Sequence, residues 1–210
     1  MPDPLEQLLG DIRACRLCAD LPHGPRPVVQ AGTSARLRIV GQAPGRKVHE
    51  TGVPWNDASG DRLRAWLGLS TAQFYDPAKV AIIPMGFCYP GKAASGDKPP
   101  RRECATRWHA RLNVELPSIG LTVLVGQYAL AHYLPDRKAT LTDTVRAWRD
   151  YLPEGWLPLP HPSPRNQPWL AKHSWFEAEL VPQIRDAIRA LELHASIGQG
   201  SRAIMRASTP

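Results

Sequence analysis

The sequence predicts a three-layer α/β/α fold with a central, mainly parallel four-stranded sheet. Four short apolar runs each stop at a glycine or proline: Leu37–Val40 at Gly41, 80–83 at Pro84, Leu121–Val125 at Gly126, and 157–159 at Pro160. Stretches with helical spacing of apolar residues lie between them, and strands alternating with helices imply parallel pairing with helices on both faces. Proline accounts for 22 of the 210 residues, about twice the ~5% average, which argues against a helical bundle. The length suits one domain over 1–194 followed by a polar tail, 195–210, expected to be disordered.

In chain order, Pro4–Ala14 places Leu5, Leu8, Leu9 and Ile12 on one helical face and leads into Cys-Arg-Leu-Cys. The first strand runs into the turn Gly41-Gln42-Ala43-Pro44-Gly45, read with the residues up to Asp61 as a site loop. Ser59 is positioned to cap a helix carrying Leu63, Trp66 and Leu67, closed by Gly68. After the second strand, 89–100 is rich in Gly, Pro, Lys and Ser and reads as an exposed loop. A helix is expected over 101–115, with Cys104, Trp108 and Leu112 on one face, and a short one over 127–134 after the third strand. The fourth strand feeds His161-Pro162-Ser163-Pro164-Arg165-Asn166. A final helix is expected over 175–193, where Pro182 forces a kink or a fresh start.

Lys and Arg number 26 against 19 Asp and Glu, a formal charge of +7. Such a chain attracts polyanions, although charge alone fits a merely soluble basic protein as well. The longest apolar stretch, 121–134, is broken by Gly126, Gln127 and His132 and falls short of the ~18 residues that mark a membrane span. No basic-then-apolar start marks a secretory signal, so a disulfide framework is not expected. Cys15 and Cys18 form a C-x-x-C pair, and Cys88 and Cys104 follow far downstream. One short turn aims two thiolates at one centre, as metal or cluster ligation requires, but spacing does not separate zinc from iron–sulfur.

In open α/β sheets, ligands sit outside the carboxyl ends of the strands. The two loops that leave strands there, Gly-Gln-Ala-Pro-Gly and His-Pro-Ser-Pro-Arg-Asn, are therefore the candidate site loops. Glycines let backbone approach a ligand closely, and two prolines fix the direction of His161.

Together these segments resemble the uracil-DNA glycosylase superfamily. C-R-L-C, V-V-Q-A-G and L-R-I-V-G-Q-A-P-G, in that order, are similar to the iron–sulfur (family 4) glycosylases, as is the cysteine layout. T-G-V-P-W-N-D-A-S-G-D is similar to a family 5 stretch, and T-G-V-P and H-P-S-P-R-N to the single-strand-selective monofunctional family. The motif order covers about residues 10 to 192.

The resemblance implies a DNA repair glycosylase that flips uracil from single- or double-stranded DNA and hydrolyses its N-glycosidic bond. It implies that His161 donates to uracil O2 as negative charge develops there. Gly41, Gln42 and Ala43 would meet the pyrimidine edge through backbone, and Trp55 stands where a stacking Phe is found. The acidic residue of the family 4 turn is Gln42 here, and the aspartate of the family 1 turn is Ala43. Asp57, which matches the family 5 Gly-Asp aspartate, is therefore the expected water-orienting carboxylate, with Glu50 and Asp61 in reserve. Pro84 replaces the Asn that reads uracil, so selection falls to the Met85–Gly86 backbone, to Asn56 or elsewhere, and damaged purines stay open as substrates. Arg165 lies in the region of the family 1 wedge, and Ser163, Pro164, Asn166, Arg46, Lys47, Lys92, Lys98, Arg101 and Arg102 are expected at the DNA. With Lys47 the only lysine in either site loop, the enzyme is expected to be monofunctional. The four cysteines are expected to hold a 4Fe–4S cluster, with zinc as the alternative. A monomer in the bacterial cytoplasm, associated with the nucleoid, is expected. Two other readings are a non-catalytic cluster-bearing DNA-binding protein and covalent capture of the abasic sugar.

Overall fold

The computed structural model describes residues 3–193; the tail at 195–210 lies outside the described residues. Strands β1 (Leu37–Val40), β2 (Val80–Ile82), β3 (Leu121–Val125) and β4 (Trp156–Leu159) form one sheet in the order β2-β1-β3-β4. Every pair is parallel, with Leu37 opposite both Val80 and Leu121, and Thr122 opposite Trp156. The segment containing Val29 and Gln30 adds a single antiparallel bridge to the free edge of β2, where Gln30 and Ile82 exchange backbone hydrogen bonds.

The pleat sends alternate residues to opposite faces, so each face is covered by its own helices. Leu37, Ile39, Val123, Val125, Leu157 and Leu159 pack on one side with Leu63, Trp66 and Leu67 of one helix and Leu180, Ile184 and Ile188 of the last. On the other side, Ala81 and Ile83 meet Leu5, Leu8, Leu9 and Ile12 of α1 (Pro4–Ala14), together with Trp108 and Leu112. Arg38 faces that side as well and is buried. Its Nε donates to Thr122 Oγ1 at 3.1 Å, its Nη1 donates to Asn113, and its guanidinium lies over the Tyr133 and Trp156 rings.

The structure departs from the sequence pattern in five places. Within the expected loop 41–61 it forms α2 (Arg46–Thr51), closed by Gly52 at φ 74°. The next helix, α3 (Ala58–Leu67), is capped by Asp57 rather than Ser59. Asp57 is the last extended residue, and its Oδ1 accepts from Gly60 N–H at 2.9 Å. The expected helix 101–115 contains a π-helical turn, Ala105–His109, that widens it beside Cys104. Short helices Leu141–Arg146, Trp148–Tyr151 and Gln167–Lys172 occupy stretches whose periodicity was too brief to register. Pro182 does not restart the last helix: a π-helical turn, Phe176–Leu180, runs directly into Val181–Ala190 with Leu180 in helical backbone, and the proline's missing N–H falls over that widened turn. Among the described residues no helix is long and apolar enough to cross a membrane.

Candidate functional site

In this strand order β1 is the branch point, since the chain passes from it to β2 on one side and later places β3 on the other. The crevice beyond the carboxyl ends of β1 and β3 is where such sheets bind ligands. A cavity of about 470 Å³ opens there. Its walls come from the turn after β1 (Gly41 to Gly45), from Trp55 and Asp57, from Gln127 and Tyr128 after β3, and from His161, Ser163 and Arg165 after β4. The fifth wall is a small hairpin, in which Lys92 and Asp97 form an antiparallel bridge.

Glycine is required at two positions around Trp55. A Cβ on Gly41 would lie 2.7 Å from Trp55 Cζ2, and one on Gly60 would lie 1.7 Å from the Trp55 carbonyl oxygen. Trp55 itself holds φ at 55°, a left-handed conformation that is costly for a non-glycine residue. The result is an indole laid against the floor of the cavity, 5.7 Å from the His161 ring and tilted 35° to it.

His161 is oriented by its own loop. The Ser163 N–H donates to His161 Nδ1 at 3.2 Å, and Asn166 Nδ2 donates to the His161 carbonyl at 2.7 Å. Ser163 Oγ in turn accepts from Arg165 N–H. With Nδ1 accepting, the proton of the neutral ring sits on Nε2. Burial holds the imidazole below its ordinary pKa, partly offset by the Asp57 and Asp97 carboxylates. His161 is thus set up as a neutral donor through Nε2.

Several predicted residues stand elsewhere or are already engaged. Asn166 braces His161 with one hydrogen of its amide, and the second hydrogen and the carbonyl oxygen have no such engagement. The Met85 and Gly86 N–H groups donate to the Gly41 and Gln42 carbonyls at 2.8 and 3.0 Å, and neither residue lines the cavity, so those amides have no hydrogen to offer a base. Asn56, Pro164, Arg46 and Lys47 also lie outside the cavity lining. Arg46 pairs with Glu50 at 2.9 Å on α2, and Asp61 pairs with Arg64 in the first turn of α3, so both reserve carboxylates are away from the cavity. Arg101 is ion-paired with Asp20 on the N-terminal arm, beside Cys18 rather than the cavity. Gln42 lines the cavity, but its Nε2 donates to the Lys98 carbonyl at 3.1 Å and so pins the hairpin. The 89–100 loop is not wholly exposed, since Tyr89 is fully buried.

Three lining residues had no motif to mark them. Gln127 and Tyr128 follow a strand that stops at Gly126, the same strand-then-glycine signal that marks the loop after β1. Asp97 was hidden in a loop read only for its positive charge.

The four cysteines are free and line one small apolar recess with Ile12, Leu17, Pro25, Pro27, Phe87 and Trp108. Burial pushes the Cys88 thiol up to about 12 and the Cys104 thiol up to about 11. Thiolates in such surroundings require a metal charge beside them. Among the described residues, no group of three or more His, Cys, Asp or Glu is drawn together closely enough to hold one metal ion. The recess thus brings four thiols from three segments of the chain to one apolar place.

The family model described as the Uracil DNA glycosylase superfamily matches residues 29–185. The match spans all four strands, the turn after β1, the hairpin and the His161 loop, and begins downstream of Cys15 and Cys18. The chain therefore belongs to the uracil DNA glycosylase superfamily, the base-excising hydrolases of DNA repair.

Proposed function

We propose that the protein removes uracil from DNA by hydrolysing the N-glycosidic bond and leaves an abasic site. The observation that carries this reading is the pairing of His161, a neutral donor locked through Nδ1, with the Asp57 carboxylate in one cavity at the sheet's branch point. As the bond breaks, the base gains negative charge and the sugar gains positive charge. A pre-aimed Nε2–H stabilises the first, and a carboxylate offsets the second and orients the water. Asp57 meets this demand with one oxygen, because Oδ1 is engaged by Gly60 N–H and Oδ2 remains directed toward Gly45. The indole of Trp55 offers a flat face on which a flipped pyrimidine stacks.

Lys92 does line the cavity, which favours asking whether the enzyme also cuts the strand through a Schiff base. Its amine faces Asp97 at 3.4 Å, and an ion-paired ammonium has no lone pair for attack, so the monofunctional reading stands. Cys15, Cys18, Cys88 and Cys104 are the residues that would hold a 4Fe–4S cluster, whose part is to pin the N-terminal arm to the core. The mixture of four free thiols and an apolar shell supports that assignment. DNA approaches across Lys92 and Arg165, both at the cavity. The protein acts as a monomer in the bacterial cytoplasm.

Incubation with a uracil-containing oligonucleotide, then with alkali, tests the reading. Strand breaks at uracil are expected. A retarded protein–DNA band resistant to denaturation would instead mean covalent capture, and an intact strand would mean binding only.

A further inference from the structure

One polar group in the cavity is not used by the chemistry just described. Asp97 lines the cavity from the hairpin, and its Oδ1 is buried without a hydrogen-bond partner, the nearest cation being Lys92 Nζ at 3.4 Å. Its Oδ2 faces Gly45. A Cβ built on Gly45 would stand 3.8 Å from Asp97 Oδ2 and 3.9 Å from Asp57 Oδ2, so two carboxylate oxygens from different loops converge on one point. We infer that Asp97 is a second catalytic carboxylate, which together with Asp57 holds the attacking water beside Gly45 by its two hydrogens. The inference rests on the hydrolytic reading above.

The argument is one of donors and acceptors. A carboxylate only accepts, and a water has two hydrogens and two lone pairs. When two carboxylates take both hydrogens, a lone pair is left pointing away from them, into the cavity. Attack forms the water oxygen–C1′ bond while the C1′–N1 bond breaks and its electron pair leaves with the base, beside His161 Nε2–H. One water proton passes to Asp97, and the other stays in the new hydroxyl of the abasic sugar. The base anion then takes a proton from solvent.

The surrounding structure is arranged to bring Asp97 there. Gln42, at the turn position where an acidic residue is lost, donates to the Lys98 carbonyl at 3.1 Å and ties the hairpin to β1. The hairpin is closed by Ala93 N–H to the Gly96 carbonyl and by Lys98 N–H to the Gly91 carbonyl. Both carboxylates act on His161 electrostatically and partly offset the effect of its burial.

The test compares wild type, Asp97→Asn and Gly45→Ala on a single-stranded uracil oligonucleotide, measuring single-turnover excision and, separately, DNA affinity by anisotropy. Gly45 has φ −79°, so alanine is tolerated by the backbone, and its methyl would meet both oxygens at ordinary contact distance where the water would sit. Asp97→Asn should slow excision by about 100-fold or more and Gly45→Ala by about tenfold or more, both with affinity within about threefold of wild type. An active wild type with either variant at the wild-type rate overturns the inference and leaves the function intact. A wild type that releases no base overturns the functional reading, and this inference with it.

Discussion

The loop that leaves Cys88 and returns at Cys104 serves both the cavity and the cysteine recess, yet the two places are held by different forces. Around the cavity each working group is fixed by a short-range polar contact. Ser163 and Asn166 orient His161, Gly60 N–H holds Asp57, and Gln42 holds the hairpin. In the recess the thiols come from the arm, the loop after β2 and the following helix; apolar neighbours such as Ile12, Phe87 and Trp108 make up most of the walls, and the Arg26 and Phe87 backbone N–H groups donate to Cys88 and Cys104. The cavity is pre-organised by the chain itself, which is what transition-state stabilisation demands. On the cluster assignment proposed above, the recess gains its remaining definition from what the thiols bind. Chemistry and anchoring should therefore be separable by mutation.

The largest effect should come from the cavity. Asn caps a helix as well as Asp, so Asp57→Asn keeps the start of α3 while removing the charge. Single-turnover excision should fall by roughly 10²–10⁴-fold with DNA affinity retained; an unchanged rate would break the claim that the cavity is organised around this carboxylate.

His109 sits on the seam between the two regions. Its Nε2 faces the Pro84 carbonyl at the cavity wall at 3.1 Å, and its Nδ1 faces Tyr133 Oη at 2.6 Å. Burial pushes its pKa down to about 4. Between the ordinary histidine value and about 4, the unfolded chain binds a proton that the native chain does not, so stability falls as pH drops through that window. By urea unfolding, the loss from this one residue between pH 7 and pH 4 should be on the order of 3 kcal/mol, and His109→Phe should show a correspondingly flatter acid limb.

Cys15→Ser should sharpen the comparison from the other side. On the proposed cluster assignment, its loss should lower the melting temperature by roughly 6 °C, on the order of 2 kcal/mol, and abolish visible absorbance. Single-turnover excision at 25 °C should stay within about tenfold of wild type. A collapse in rate would show that the recess shapes the cavity after all.

The smallest effect is expected at the rim. The Arg165 guanidinium reaches the hairpin tip, with Nη1 3.2 Å from the position of a Cβ on Gly96. Arg165→Ala should reduce excision from duplex by about tenfold, since a flipped base leaves a gap to fill, and leave single-stranded substrate almost unaffected. Equal losses on both would count against the wedge role.

Sequence pattern reached the four strands, the face of α1 and the two loops after β1 and β4, because short apolar runs ending in Gly or Pro are local signals. It also reached His161, whose direction is set within its own six-residue loop. It did not reach Asp97, which enters the cavity only through a crossing of the chain that no local spacing records, nor Tyr128, whose strand-then-glycine signal came with no motif. Nor did it show that Asn166 and Gln42 are braces, since the same amide that contacts DNA equally well holds a backbone carbonyl. The caps were ambiguous for a similar reason: Asp57 and Ser59 are both good N-caps, and Asp57 is the one that stays extended, with its Oδ1 accepting from Gly60 N–H.

The central claim is that this cavity hydrolyses the bond between uracil and deoxyribose. Its most direct test is to quantify free uracil released from a single-stranded uracil oligonucleotide by the wild-type protein. Several equivalents of uracil per protein, with the strand intact until alkali is added, is the predicted result; no free uracil, or a single equivalent with the DNA left covalently attached to protein, would contradict it.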